Sequence, residues 1–257
     1  MIIDIHSHLD HPLLNGRIDE IIKNAMSSNV RHIITNGIDP ATNRLCLGLS
    51  ERYDIVKCGM GAYPRDLLKR EAESGYTTVM WDYDIEIEIE FIKQHRENIS
   101  AVSEIGLDFT YGENPMQIED FQRMISLAED IKKPVVIHSR KAEQRCVEIL
   151  ESSNMRNIIM HCFCGKKSLV KRIRDNGWFF SIPTSVVRAE QFQMIINEVP
   201  LSQLFCETDS PYLSPFKDKP NEPSFVFESY KKIAEIKKME FVEVVNNIYL
   251  NWQRVFW

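Results

Sequence analysis

The chain has 257 residues, 44% of them hydrophobic and 26% charged, which suits a soluble globular protein with a sizeable core and excludes a disordered or fibrous chain. Its formal net charge of −6 argues against a broadly basic nucleic-acid-binding surface, so any bound polyanion must be held locally. Six cysteines in this length do not make a disulfide framework, and they read as reduced thiols of a cytoplasmic protein.

The first stretch, IDIHSHLD over residues 3–10, reads as a strand ending in a His-x-His pair. Side chains two apart on a strand point the same way, so His6 and His8 can converge on one metal ion at the strand's exit. A cleaved signal peptide is not expected, because cleavage would remove that pair. Further apolar runs follow at 32–35, 55–60, 99–103, 134–137, 157–160, 178–181 and 203–206. Helix-like patterns lie between them, at 18–28, 86–95, 117–131, 142–151, 168–175 and 190–197. Several of the runs, such as Val135-Val136-Ile137, lack polar alternation, as expected where helices cover both faces of a sheet.

Eight runs that start about 29 residues apart predict a single (β/α)8 TIM barrel over residues 1–257. An open doubly wound sheet is the rival, but no Gly-x-Gly-x-x-Gly loop follows any run. Residues 62–86 read as an extended loop with some helix, 214–224 as a proline-rich loop, and 225–237 and 241–252 as closing helices. No stretch approaches the roughly 18 apolar residues of a membrane span, so no membrane is expected as a partner. The oligomeric state is left open, and a monomer is compatible with the pattern.

The residues with ligand chemistry fall just after the runs. His6 and His8 follow the first, Glu104 the fourth, His138 the fifth, His161 the sixth and Asp209 the eighth. In a barrel all of these lie on the C-terminal rim, where active sites of this fold are built. One such residue alone is usually a hydrogen-bonded loop residue, whereas six on one rim point to a metal centre. Four histidines and two carboxylates suit two divalent ions, with Glu104 placed to bridge them. Zn²⁺, Mn²⁺ and Mg²⁺ all remain open.

These residues sit in the segments IDIHSHLD (3–10), SEIGLDF (103–109), VVIHSR (135–140), IMHCFCG (159–165), ETDSPYL (207–213) and NEPSFV (221–226). Together they resemble the TatD-like metal-dependent deoxyribonucleases of the amidohydrolase superfamily, in order along essentially the whole chain. The resemblance implies a barrel hydrolase that cleaves phosphodiester bonds of DNA at a two-metal centre. It also implies that His6, His8 and Asp209 hold one ion, that His138 and His161 hold the other, and that Glu104 holds both. The chain departs from the pattern after the third run, where Gly-x-His-Pro is usual and Gly61-Ala62-Tyr63-Pro64 stands instead.

In the expected mechanism a water activated between the ions attacks phosphorus, with Asp209 and Glu104 as the catalytic carboxylates. Two divalent ions and two carboxylates leave the centre at about +2, which reconciles an acidic chain with an anionic substrate. Arg140, two residues past His138, is expected to grip a phosphate oxygen, and Tyr63 and Arg65 are carried as further substrate contacts. Lys166 and Lys167 could add phosphate contacts, although solvated surface lysines are the simpler reading. Asp4 and Glu207 share the parity of the ligands and read either as groups that orient them from behind or as simple buried, hydrogen-bonded carboxylates. Asp108 and Glu222 could face substrate or brace loops. Cys162 and Cys164 read as two buried loop thiols and not as a thiolate metal pair. Two other readings stay open: hydrolysis of a small-molecule or aminoacyl-tRNA ester or amide, and a binding protein with a vestigial site.

Overall fold

The structure is a computed structural model, and it describes residues 1–73 and 79–257. Eight parallel strands pair in sequence order: β1 (Ile2–Ser7), β2 (Val30–Asn36), β3 (Val56–Met60), β4 (Ile99–Gly106), β5 (Val135–His138), β6 (Ile158–Met160), β7 (Phe179–Pro183) and β8 (Leu204–Glu207). Helices separate successive strands, as the spacing predicts for a (β/α)8 barrel. Val135–Ile137 and the whole of β6 are buried, because each lies between the barrel interior and the helical layer. Among the described residues no helix is long and apolar enough to cross a membrane, and all six cysteines are free.

The barrel closes at a seam between β8 and β1 where ladder and side-chain hydrogen bonds are mixed. At the rim, the Asp209 amide donates to the His6 carbonyl and the His8 amide to the Ser210 carbonyl, both at 2.8 Å. Lower down, Asp4 accepts from the Thr208 amide at 2.9 Å and from its hydroxyl at 2.6 Å. At the base, the buried Tyr230 hydroxyl satisfies both the amide and the carbonyl of Ile3, each at 3.0 Å. Tyr230 belongs to the closing helix Phe227–Lys237, so the helices after β8 complete the barrel wall. An unpaired buried backbone group costs free energy comparable to a lost hydrogen bond, which explains why a tyrosine reaches into this gap.

The strands run further than their apolar cores. Glu104 lies within β4 and His6 within β1, and His138 is the last residue of β5, where each was expected just beyond its strand. The difference has a packing cause. A side chain at Gly61 would strike the Glu104 backbone, and one at Gly106, with φ +144°, would strike the His138 carbonyl. The ends of β3, β4 and β5 therefore approach more closely than any side chain permits, and this brings Glu104 and His138 together.

The helical layer differs from the expected pattern at Pro40–Arg52. The helix Pro40–Arg52 has no counterpart in the apolar periodicity, since its buried face carries Thr42, Asn43 and Cys46. Its start was legible all the same: Asp39 caps the Thr42 amide and Pro40 occupies the first turn. Within 62–86, Arg65–Glu73 is helical, and the part of that expectation on residues 74–78 lies outside the described residues.

Candidate metal centre

Six predicted ligands meet at the rim. His6 Nε2 and His8 Nε2 face each other at 3.3 Å. Glu104 Oε2 lies 3.4 and 3.6 Å from these nitrogens, and Asp209 Oδ1 lies 3.8 and 3.5 Å from them. Donors about 2.0–2.1 Å from a tetrahedral ion stand roughly 3.3–3.4 Å apart, so this spacing fits a divalent cation.

The other Glu104 oxygen serves a second group. Oε1 lies 2.8 Å from His138 Nδ1, and donor atoms of Glu104, His138 and His161 fall within 4.8 Å of one another. His161 Nε2 is 3.9 Å from Asp209 Oδ1, and its ring stacks on that of His6 with centroids 3.8 Å apart. The two oxygens of one buried carboxylate thus point into two adjacent donor clusters. An imidazole and carboxylate donor set of this kind suits Zn²⁺ or Mn²⁺ better than Ca²⁺.

Each histidine of the second cluster is backed by a carboxylate. Glu207 Oε2 lies 2.8 Å from His161 Nδ1, while its other oxygen accepts the Cys162 amide at 3.1 Å. Asp108 Oδ2 lies 3.1 Å from His138 Nε2 and accepts the Tyr63 hydroxyl at 3.3 Å. A carboxylate on one ring nitrogen fixes the tautomer and frees the other nitrogen for a cation. Asp108 therefore faces His138 and not solvent. Asp4 works differently: it accepts the backbone amides of His6, at 3.3 Å, and Thr208, and touches no imidazole.

The charge pattern favours a cation. Burial works against a proton on His8 and on His161, but nearby carboxylates outweigh it, raising His8 to about 9 and His161 to about 10. Asp209 and Glu104 are the carboxylates common to both. Burial opposes ionisation of Asp209, yet the imidazoles of His161, His8 and His6 hold its carboxyl below the usual range. Burial also opposes ionisation of Asp108, and His138 and Thr110 draw it down to about 2. A prediction follows for ion-free protein. At pH 7 His8 and His161 each carry a proton that a divalent ion must displace, and His138, where burial works against a proton but Asp108 and Glu104 outweigh it, is raised as well, so metal uptake should release at least two protons per chain. Apparent affinity should rise with pH up to about 9–10. Calorimetric titration in buffers of different ionisation enthalpy reads the proton number; a number near zero at pH 7 would contradict the arrangement.

The profile of the family described as TatD related DNase matches residues 3–257. The chain belongs to that family. It is 34% identical to the uncharacterized metal-dependent hydrolase MJ1582 of Methanocaldococcus jannaschii, over 99% of this chain and 96% of that protein. It is 29% identical to the deoxyribonuclease TATDN3 of Homo sapiens, over 99% of this chain and 94% of that one. The crystal structure of YJJV, a TatD homologue from Escherichia coli, superposes with a TM-score of 0.85 at 23% identity, covering 99% of this chain and 97% of that one. The chain is thus a TatD-family metal-dependent hydrolase.

The remaining predicted contacts divide. A cavity of about 490 Å³ opens over the clusters, and Tyr63 and Arg140 line it with His8, Glu104, His138 and Asp209. Arg140 is exposed at the mouth, and among the described residues no carboxylate pairs with it. Arg65 does not join them, which corrects its expected role. Its guanidinium is engaged by Asp120 at 2.9 Å and by the Tyr83 carbonyl at 3.0 Å, away from the cavity. Lys167 pairs with Glu198, and Glu222 braces its loop by accepting from Asn24 and Ser224. Cys164 is exposed where it was expected buried, and its thiol donates to the Cys162 carbonyl. His11 and Tyr212 also line the cavity, although the sequence reading gave them no role. Their signal was position: His11 follows IDIHSHLD directly, and Tyr212 lies three residues after Asp209.

Proposed function

We propose that this TatD-family hydrolase is a deoxyribonuclease that cleaves phosphodiester bonds at a two-ion centre. The observation that carries the reading is Glu104, whose two oxygens face separate donor clusters, His6 and His8 on one side and His138 on the other. His6, His8 and Asp209 would hold the first ion, His138 and His161 the second, and Glu104 both. Divalent cations bound there supply activation of water and neutralisation of phosphoryl charge.

The chain's own groups do the rest. Asp209 Oδ1 lies within 3.9 Å of His6, His8 and His161, so its carboxylate reaches both clusters and is placed to take the proton of the attacking water. Glu207 and Asp108 hold His161 and His138 in the orientations the clusters need. Arg140 at the mouth grips a non-bridging phosphate oxygen, which guanidinium matches in a bidentate way. The name of the human relative, a deoxyribonuclease, supports DNA as the substrate class.

The test is chelated protein reconstituted singly with Zn²⁺, Mn²⁺ and Mg²⁺ and assayed on end-labelled DNA, bis-p-nitrophenyl phosphate and simple amides. Turnover is expected on the diesters and not on the amides; the reverse pattern would transfer the site to a different bond. In the same assay Arg140→Ala should weaken diester capture by about 1.5–3 kcal/mol, mostly as a raised KM. Tyr63→His, which restores the residue usual in the resembling family, should keep diester turnover and raise it. An Arg140→Ala protein with unchanged diester kinetics would remove that residue from the phosphate site.

A further inference from the structure

A second concave surface adjoins the cavity over the metal clusters. It is a groove of about 740 Å³, and Glu143 and Cys164 line both the groove and the cavity, so the two meet at the rim. From there it follows the first turns of the helices Glu143–Glu151 and Lys167–Asp175. Lys141, Arg145, Lys166 and Arg172 line it, against two carboxylates, Glu143 and Glu148. The groove is therefore basic on a chain whose formal net charge is −6. That is the local hold a polyanion needs on an acidic molecule.

The four cations differ in what they already hold. Arg172 pairs with Glu151, and Glu148 stands 3.9 Å from Arg145. Lys141 and Lys166 are exposed, and among the described residues no carboxylate pairs with either. The loops that carry these two lysines are braced. The Phe109 amide donates to the Arg140 carbonyl at 3.0 Å, and the Gln191 side chain donates to the Gly165 carbonyl at 2.8 Å. Loops already fixed lose little freedom when a ligand binds them. Arg140, at the mouth of the cavity, directly precedes Lys141. A strand with one phosphate over the clusters has its neighbouring phosphates one nucleotide away, so a strand that passes Arg140 outward meets Lys141 and Lys166 on the two walls of the groove. Lysine contacts to phosphate carry no base identity and serve any sequence.

We propose that this groove is a phosphate track, in which Lys141 and Lys166 hold phosphates flanking the scissile one and so favour a nucleic-acid strand over an isolated phosphodiester. The inference rests on the phosphodiester reading of the site. Wild type, Lys141→Gln, Lys166→Gln and the double variant would be compared on single-stranded oligothymidylate and on bis-p-nitrophenyl phosphate, which has no flanking phosphate. Melting temperatures would confirm folding. The double variant should lose about 3–20-fold in kcat/KM on the oligonucleotide, the scale of two exposed charge contacts, and keep the wild-type value on the small diester. A plot of log kcat/KM against log salt, between about 50 and 300 mM KCl, should flatten by about 0.7 for each lysine removed, which a merely structural loss would not do. Glu143→Gln, which removes a carboxylate where groove and cavity meet, should strengthen oligonucleotide capture.

A second readout is independent of turnover. Fluorescein-labelled oligothymidylate, followed by anisotropy, should bind Asp209→Asn protein with a steep salt dependence. The same protein carrying Lys141→Gln and Lys166→Gln should bind more weakly and with a flatter one. Oligonucleotide capture and salt slope unchanged in the double variant overturn the track and leave the nuclease reading standing. So does an equal loss on the small diester, which would place the lysines in the reaction itself or in the fold. If the wild type cleaves no diester, the nuclease reading falls and the anisotropy decides the groove alone: a flattened slope supports it, an unchanged slope overturns it.

Discussion

Asp209→Asn is expected to leave a folded protein whose diester turnover falls by about a thousandfold or more, the scale of losing both a positioned base and charge stabilisation. Asp209 has φ +56°, a left-handed conformation that asparagine also tolerates, so the exchange keeps the turn. The Asp209 amide donates to the His6 carbonyl through the backbone, so the barrel seam survives the substitution as well. What is removed is a negative charge facing His6, His8 and His161, and the oxygen that would accept the proton of water. Steady-state rates on end-labelled DNA and a thermal melt followed by circular dichroism make the test. A variant that turns over at the wild-type rate would remove Asp209 from the chemistry. One that unfolds while its remaining folded fraction works normally would make it structural.

How far the sequence carries to this site differs from residue to residue. The eight strands and the rim cluster of six candidate ligands were legible because each of these residues follows or ends an apolar run, and the barrel then puts all such positions on one rim. Glu207 was legible by parity with Asp209, and it does hold His161. Parity left two roles open at Asp4, and the carboxylate pairs backbone amides, those of His6 and Thr208, at the gap between β8 and β1. Arg65 looked like a substrate contact because it lies two residues from Tyr63. Its partner Asp120, 55 residues on, is set by how one helix packs on another, and no local pattern reveals that. Asp108 could not be assigned from its motif alone, since its role depends on the distance between the ends of β4 and β5. That distance is fixed by Gly106 packing against the His138 carbonyl. Rim side chains beyond the ligands, such as Tyr212, depend on buried braces like Asn221 that lie outside their own segment.

Glu104→Gln tests the bridge itself, and its effect on metal content should be the largest of any single exchange. The side chain is 5% exposed and sits at the end of a closely packed strand, so the nearly isosteric amide should fit. Its charge cannot be replaced. One glutamine oxygen can still accept, but the amide nitrogen offers only donors, so one of the two clusters loses its Glu104 ligand outright. The other exchanges a carboxylate for a weaker neutral carbonyl. Burial opposes ionisation of Glu104, yet His138 and His6 hold it well below the usual range, so the wild-type group is a carboxylate throughout the working pH range. Elemental analysis after reconstitution with Mn²⁺ or Zn²⁺ should therefore give two ions for the wild type and at most one, weakly held, for the variant. Diester turnover should fall by about a thousandfold or more, in step with the lost ion. A His6→Ala/His8→Ala protein provides the comparison: it should lose the first ion and retain the second, because His138 and His161 are untouched. Two ions retained in Glu104→Gln, or none bound by the wild type, would rule out a carboxylate bridging two cations.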